Sequence, residues 1–298
     1  MKFSDVRQSE EFSSFMREIN WKAEKISGSY VYLKKFFPLG FFAKCPRPVN
    51  PVNIGSLRNL IERKKIFRFK ISPFLTQNQK EYTVIKKSYL TAGFQIDKDP
   101  FNPTTTIQID LKGDEKEIFR SFSEAKRRGI RRAIKHNVTV DLSDDLEAFI
   151  KIRKHQYRPM GFLIAGEMKK LWKNFFPKKA DLLLAKSKSG KFIAGIMLLY
   201  QGKTAYYWFA SATNEGKKLF APTLLVWKAV KTAKKRGCDN LDFEGIYDER
   251  FPKASAAWRG FTKFKEGFSD KKIIFMENLY LKTSPLNPAL RQAGNPMD

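Results

Sequence analysis

The stretch from Leu182 to Phe243 constrains the fold more than any other part of the chain. Three apolar runs, LLLAKS (182–187), FIAGIMLLY (192–200) and TAYYWFASA (204–212), are separated by the turn signals KSGK and QGK. Runs of this length between tight glycine turns read as strands joined by hairpins. A helix follows: Pro222 suits its first turn, Leu224, Leu225, Ala229, Val230 and Ala233 supply one face, and Lys234, Lys235 and Arg236 precede Gly237 as last-turn cations before a left-handed cap. Asn240 to Phe243 then reads as another strand, so the region runs strand, strand, strand, helix, strand.

The first hundred residues are sparser. Tyr30–Leu33, Thr83–Ile85 and Thr91–Ile96 read as strands, Ile54–Arg63 as a helix, and CPRPVNP (45–51) as turn punctuation. From Thr105 to Asp110 apolar and polar residues alternate as in a half-buried strand, which puts a seam just before it. The expected division is therefore an N-terminal unit, 1–103, with 278–298 as a candidate final piece, and a second unit, 104–277. A chain of 298 residues suits two domains at roughly 150 each. The last fifteen residues, with three prolines, read as a loose tail.

Charge narrows the partners. Lys and Arg number 57 against 30 Asp and Glu, a net +27 that favours polyanions. Two cysteines, Cys45 and Cys238, without CxxC or Cys/His spacing, argue against structural zinc and a disulfide framework and for a cytosolic protein. The two histidines, His136 and His155, leave no HExxH motif; no metal is expected. The apolar runs Phe36–Ala43 and Phe192–Tyr200 fall short of the roughly 18 residues of a membrane span, and the N-terminus has no apolar signal core, so membrane contact is expected to be peripheral. Ile118, Phe122, Ala125, Ile130 and Ala133 recur at helical spacing, and six cations between Lys126 and Lys135 cover the rest of that expected helix. Such a face suits phosphates or anionic lipid.

Three stretches together resemble the FemABX family, aminoacyl-tRNA-dependent transferases that extend the stem peptide of cell-wall precursors. TTTIQIDL followed by AKRRGIRRAIKHNV is similar to a family strand and helix at Arg127, Ile130, Arg131, Ala133, Lys135 and Val138. YYWFASA with APTLLVWKAVKTAKKRGCDNLDFEGI resembles the most specific family segment, down to Asp242, Phe243 and Gly245. GFTKFKEGFS resembles the family's close at Phe264, Lys265, Gly267 and Phe268. Lys126, Gly129, Asn137 and Ser269 depart from the family pattern. NWKAEK (20–25) offers Trp21 and Lys25 as the counterpart of an N-terminal family motif, and HQYRPMGF offers Tyr157 and Arg158 as precursor contacts.

The resemblance implies an α+β protein of two GNAT-like subdomains, the acyl-CoA N-acyltransferase architecture, packed across a substrate cleft, in the compact form without a coiled-coil arm. It implies transfer of an amino acid from aminoacyl-tRNA to a stem-peptide amine of a UDP-linked or lipid-linked peptidoglycan precursor, by a cytoplasmic monomer that touches the inner membrane leaflet at most peripherally. Arg127, Arg131 and Lys135 would then meet tRNA or another anion. Lys265, expected on a late strand between Gly260 and Gly267, would hold phosphate or a developing oxyanion beside Phe264. Asp242 and Glu244, two apart on a strand end and so on one face, would be candidate proton acceptors. Tyr206, Tyr207, Trp208, Trp227 and Trp258 read as core and cleft packing.

Two other readings stand beside this one. An ordinary acyl-CoA N-acyltransferase would share the fold, but it binds pyrophosphate on a glycine-rich turn before the main helix, where this chain has TNEGKKLFAP; coenzyme A is therefore not expected. A non-catalytic basic nucleic-acid-binding protein fits the charge, without any recognised nucleic-acid motif.

Overall fold

The computed structural model describes residues 5–48, 50–156 and 161–283. They form two units: residues 20–102 with 275–283, and residues 5–19 with 103–274. A 3-10 turn at Val6–Gln8 and helix α1 (Glu10–Glu18) open the chain. The first unit then runs β1 (Lys22–Ile26), β2 (Ser29–Phe36), β3 (Gly40–Pro46), α2 (Ile54–Lys64), β4 (Ile66–Ser72), α3 (Tyr82–Thr91) and β5 (Gln95–Ile96). The second runs β6 (Thr105–Asp110), α4 (Glu115–Ser121), α5 (Glu124–Lys135), β7 (Thr139–Ser143), α6 (Leu146–Gln156), α7 (Gly161–Phe175), β8 (Ala180–Lys186), β9 (Phe192–Gln201), β10 (Thr204–Ala212), α8 (Asn214–Lys218), α9 (Ala221–Lys235), β11 (Asn240–Gly245), α10 (Arg259–Glu266) and β12 (Lys272–Ile274). The last strand, β13 (Leu279–Lys282), returns to the first unit.

The first sheet has the order β1-β2-β3-β4-β13-β5, so its penultimate strand comes from the far end of the chain. Its core includes Val31, Leu33, Phe69, Ile71, Tyr89 and Leu279. Thr83–Ile85, expected as a strand, belongs instead to helix α3, and only Gln95 and Ile96 of the Thr91–Ile96 run form a strand. Burying Tyr89 against Phe94 (ring centroids 5.3 Å apart) is done by a helix followed by a turn at Gly93. That packing overrides the strand preference of the β-branched residues.

The second sheet has the order β12-β6-β11-β10-β9-β8-β7. The expected three strands, helix and strand appear as β8, β9, β10, α9 and β11. Helix α9 buries Leu224, Leu225, Val226, Ala229, Val230 and Ala233, and α5 packs beside it through Ile130 and Ala133. The single helix expected from Ile118 to Lys135 is two. Ser123 caps α5, its Oγ accepting from the Lys126 N–H, and the chain extends at Phe122 and Ser123 between the helices. Capping by serine at a break in helical dihedrals is the usual competitor of helix continuation. Residues 5–19 group with this unit and not with the N-terminal one as expected, because α1 packs on α7 and Phe12 lies against Trp208 (6.0 Å).

Candidate active site

In the second sheet β10 and β11 run parallel, and they are paired only from Thr204–Asn240 to Tyr206–Asp242. Both then lose register with their other neighbours: β10 bulges at Trp208 against β9, and β11 slips between Asp242 and Gly245 against β6. Bulges of this kind bend strands and re-aim side chains. Where the two strands part, a cavity of about 700 Å³ opens, lined by Tyr207, Trp208 and Phe209 of β10, by Phe243, Glu244 and Gly245 of β11, and by Trp258, Phe264 and Lys265. Gly245 is needed there, since a Cβ would come within 2.9 Å of the Trp258 ring.

Lys265 sits on helix α10, a correction to the late strand expected for it. Family-like glycines did not bracket a strand; Gly260 lies inside the helix and Gly267 ends it. Its side chain is buried, and Nζ donates to the Gly245 carbonyl at 2.6 Å. Burial lowers its pKa to about 8, against the pull of the Glu244 and Asp242 carboxylates. A lysine so placed carries its charge at neutral pH yet gives up the proton readily.

Asp242 and Glu244 do not share a strand face. Glu244 adopts a left-handed backbone (φ +60°) at the slip, and its N–H donates to Asp242 Oδ1 at 2.7 Å. Asp242 is also the acceptor for Thr106 Oγ1 (2.6 Å) and Gln108 Nε2 (2.9 Å), so its carboxylate is spent on holding β6 and the slip. Glu244 faces the cavity with 17 % of its side chain exposed. Burial raises its pKa despite the neighbouring Arg7 guanidinium, with Asp242 and Asp5 adding to the rise.

Arg7 is the residue the sequence reading missed. It donates to Asp5 and to Glu244, and its guanidinium lies 4.8 Å from the centre of the Trp208 ring. One side chain thus touches both strands that part around the cavity. Although burial works against its charge, the Glu244 and Asp5 carboxylates hold it above its ordinary pKa. Tyr206 lies beneath, its hydroxyl pushed well up by burial and by Asp5, Asp242 and Glu244. No motif marks Asp5 or Arg7; only the grouping of the N-terminal segment with this unit brings them in.

The other candidates scatter. Phe264 lines the cavity and stacks edge-on with Phe268 (5.2 Å), while Lys126, its pKa lowered to about 8 by burial, lies 4.0 Å over the Phe264 ring. Arg127 is occupied inside the fold, donating to the carbonyls of Arg120 (2.6 Å) and Phe122 (2.8 Å). Arg131 and Lys135 are exposed on α5. Trp21 and Lys25 belong to the first unit, where Lys44 sits 4.3 Å over the Trp21 ring and Lys25 4.6 Å over Tyr30. Tyr157 and Arg158 lie outside the described residues. Trp227 packs on Phe119 and Phe122, whereas Tyr207, Trp208 and Trp258 line the cavity. Among the described residues no three His, Cys, Asp or Glu side chains cluster as a metal site, and no helix is long and apolar enough to cross a membrane.

Comparison with known proteins adds a family and a fold. Residues 177–293 match the model of the FemAB family. No curated protein matches the sequence. Among solved structures, FemX is similar at TM-score 0.79 and 16 % identity, covering 94 % of this chain and 92 % of its own. The C-terminal domain of a putative lysylphosphatidylglycerol synthetase from Agrobacterium fabrum gives 0.60 at 12 % identity, covering 94 % and 89 %. A tandem GNAT protein from the clavulanic acid biosynthesis pathway gives 0.54 at 8 % identity, covering 87 % and 84 %, in keeping with the expected pair of GNAT-like units. The FemAB pattern spans β8 to β11 and α10, elements that build the cavity, so this part of the chain is similar to the FemAB family and the fold is similar to that of FemX.

Proposed function

We propose that the protein is an aminoacyltransferase that moves an amino acid from aminoacyl-tRNA to a stem-peptide amine of a peptidoglycan precursor. The observation that carries this reading is Lys265, a buried ammonium at the cavity formed where β10 and β11 part, in a segment that matches the FemAB family. The acceptor nitrogen attacks the ester carbonyl carbon, the ester C–O bond to the ribose breaks, and the amine proton ends on the released 3′ oxygen. An ester is already activated, so the protein's work is to align the two substrates and stabilise the oxyanion. Lys265 supplies positive charge from a buried side chain at the cavity, and Glu244, held by Arg7, stands ready as a proton acceptor whose affinity burial has raised.

The stretch before α9 speaks against coenzyme A as donor. Instead of an open phosphate loop it forms the short helix α8, capped by Thr213, whose Oγ1 takes the Gly216 N–H at 3.0 Å. Phe220 then turns left-handed (φ +59°) into α9. The test is incubation with a mixed aminoacyl-tRNA pool and a UDP-linked or lipid-linked precursor, followed by mass measurement. The expected result is a precursor heavier by one aminoacyl residue. Transfer from acetyl-CoA with none from tRNA would overturn the reading in favour of an acyl-CoA enzyme.

A further inference from the structure

The hairpin between β2 and β3 carries apolar side chains that the fold does not use. Phe37 is 92 % exposed, Leu39 66 % and Phe36 45 %, at the start of the apolar run Phe36–Ala43. The ladder of β2 and β3 ends at Phe36–Gly40, so residues 37–39 project beyond the last pair. Gly40 (φ +101°) turns the chain back so tightly against the end of α2 that a Cβ would lie 2.3 Å from the Lys65 carbonyl oxygen. The tip is held firmly from below: Phe36 packs edge-on against Phe42 and Phe67 (6.5 and 6.2 Å), and Phe41 N–H donates to Lys65 O at 3.1 Å.

A collar of cations surrounds this tip. Lys34 and Lys35 immediately precede it on β2, Lys22 lies opposite Leu33 on β1, and Lys65 is exposed where α2 meets β4. No acidic residue occurs between Lys25 and Ile61. Of the two flanking carboxylates, Glu24 is taken by Arg63 and Lys64, and Glu62 is exposed in the last turn of α2 beside them.

We infer that this hairpin tip docks the protein on an anionic lipid bilayer, with Phe37 and Leu39 entering the headgroup–acyl boundary and the lysines staying among the lipid phosphates. Aromatic and aliphatic side chains gain by leaving water, and lysine stems lie along apolar surface with their charges at the interface. A protein partner would ask for a patch of about 800 Å² per side with paired polar groups at its rim; a three-residue knob flanked by Lys22, Lys34, Lys35 and Lys65 does not offer that. The inference stands apart from the proposed transfer reaction.

The test is co-sedimentation of the full chain, without substrates, with vesicles of phosphatidylcholine alone or mixed equally with phosphatidylglycerol. The expected result is binding to the anionic vesicles that weakens with salt. Phe37→Asp with Leu39→Asp should cut it at least about tenfold, the worth of one buried large apolar side chain, and Lys34→Gln with Lys35→Gln roughly fivefold per lysine. Phe37, Leu39 and Lys35 are exposed, and Lys34 is half-buried with its Nζ 5.6 Å over the Trp21 ring; the Phe37→Asp/Leu39→Asp protein should melt like the parent. A second measurement uses Leu39→Cys carrying an environment-sensitive fluorophore, since Cys45 and Cys238 are both buried; its emission should shift to the blue on vesicle addition. Equal binding by parent and Phe37→Asp/Leu39→Asp protein, no preference for phosphatidylglycerol, or self-association abolished by the same substitutions would overturn the inference.

Discussion

Lys265 carries a stability cost that follows from its burial. Its pKa falls from 10.5 to about 8 in the folded protein, because burial opposes the ammonium. The unfolded chain therefore binds more protons between those values. The cost of burying the charge, about 3 kcal/mol at 1.36 kcal/mol per unit, is present in full below pH 8 and disappears as pH rises through 10.5. Lys265→Met loses the bond to Gly245 O, worth about 1 kcal/mol, but is relieved of the larger cost. Its melting temperature at neutral pH should equal or exceed the parent's, and the difference should shrink in alkaline buffer. Activity should move the other way, with kcat falling by roughly two orders of magnitude as for one lost oxyanion donor. The parent's rate should decline as pH rises through about 8, when the ammonium deprotonates, and Lys265→Arg should move that limb upward. A variant with normal kcat and raised KM would transfer the lysine to phosphate binding. Arg7 behaves oppositely: Arg7→Met leaves Glu244 buried beside Asp5 and Asp242 without its ion-pair partner. The expected loss is about 3 kcal/mol in denaturant melts, restored in part by adding Glu244→Gln.

At the scale of elements, helix α5 divides its cations between two jobs. Arg127 closes the end of α4 through two carbonyls, and Lys126 covers Phe264, whereas Arg131 and Lys135 remain exposed. Replacing Arg131 and Lys135 by Gln should reduce the salt slope of tRNA binding by roughly one unit per residue and leave stability alone. Arg127→Gln should lower the melting temperature without that change of slope. An unaltered slope in the Arg131/Lys135 variant would make α5 a solvated face. The one-helix pattern from Ile118 to Lys135 misled because Ser123 can cap: periodicity reports which residues face the core and is blind to an interruption that keeps the face in phase.

For the whole molecule, the distinctive feature is that the chain leaves the first unit and returns to it. β13 inserts between β4 and β5, Leu279 and Met276 are fully buried, and the Asn278 side chain pairs with the backbone of Asn102 (3.1 and 3.2 Å). Ending the chain after Ile274 should therefore unfold residues 20–102, seen as fast amide exchange across β1 to β5; retained protection there would show that five strands suffice. What the sequence determined by itself was local: strands from apolar runs between glycine turns, α9 from its caps and stripe, and the family pattern around Asp242 and Lys265. Each depends on neighbours in the chain, where period, turn chemistry and composition act. Only the tertiary structure decided that Phe264 and Lys265 ride on a helix, that Glu244 leaves the face of Asp242 by a left-handed turn, and that Arg7 pins Glu244. Those outcomes rest on strand slips and on a contact between residues 237 positions apart. No local pattern records such a contact, because burial and charge compensation are settled only when distant segments share one core.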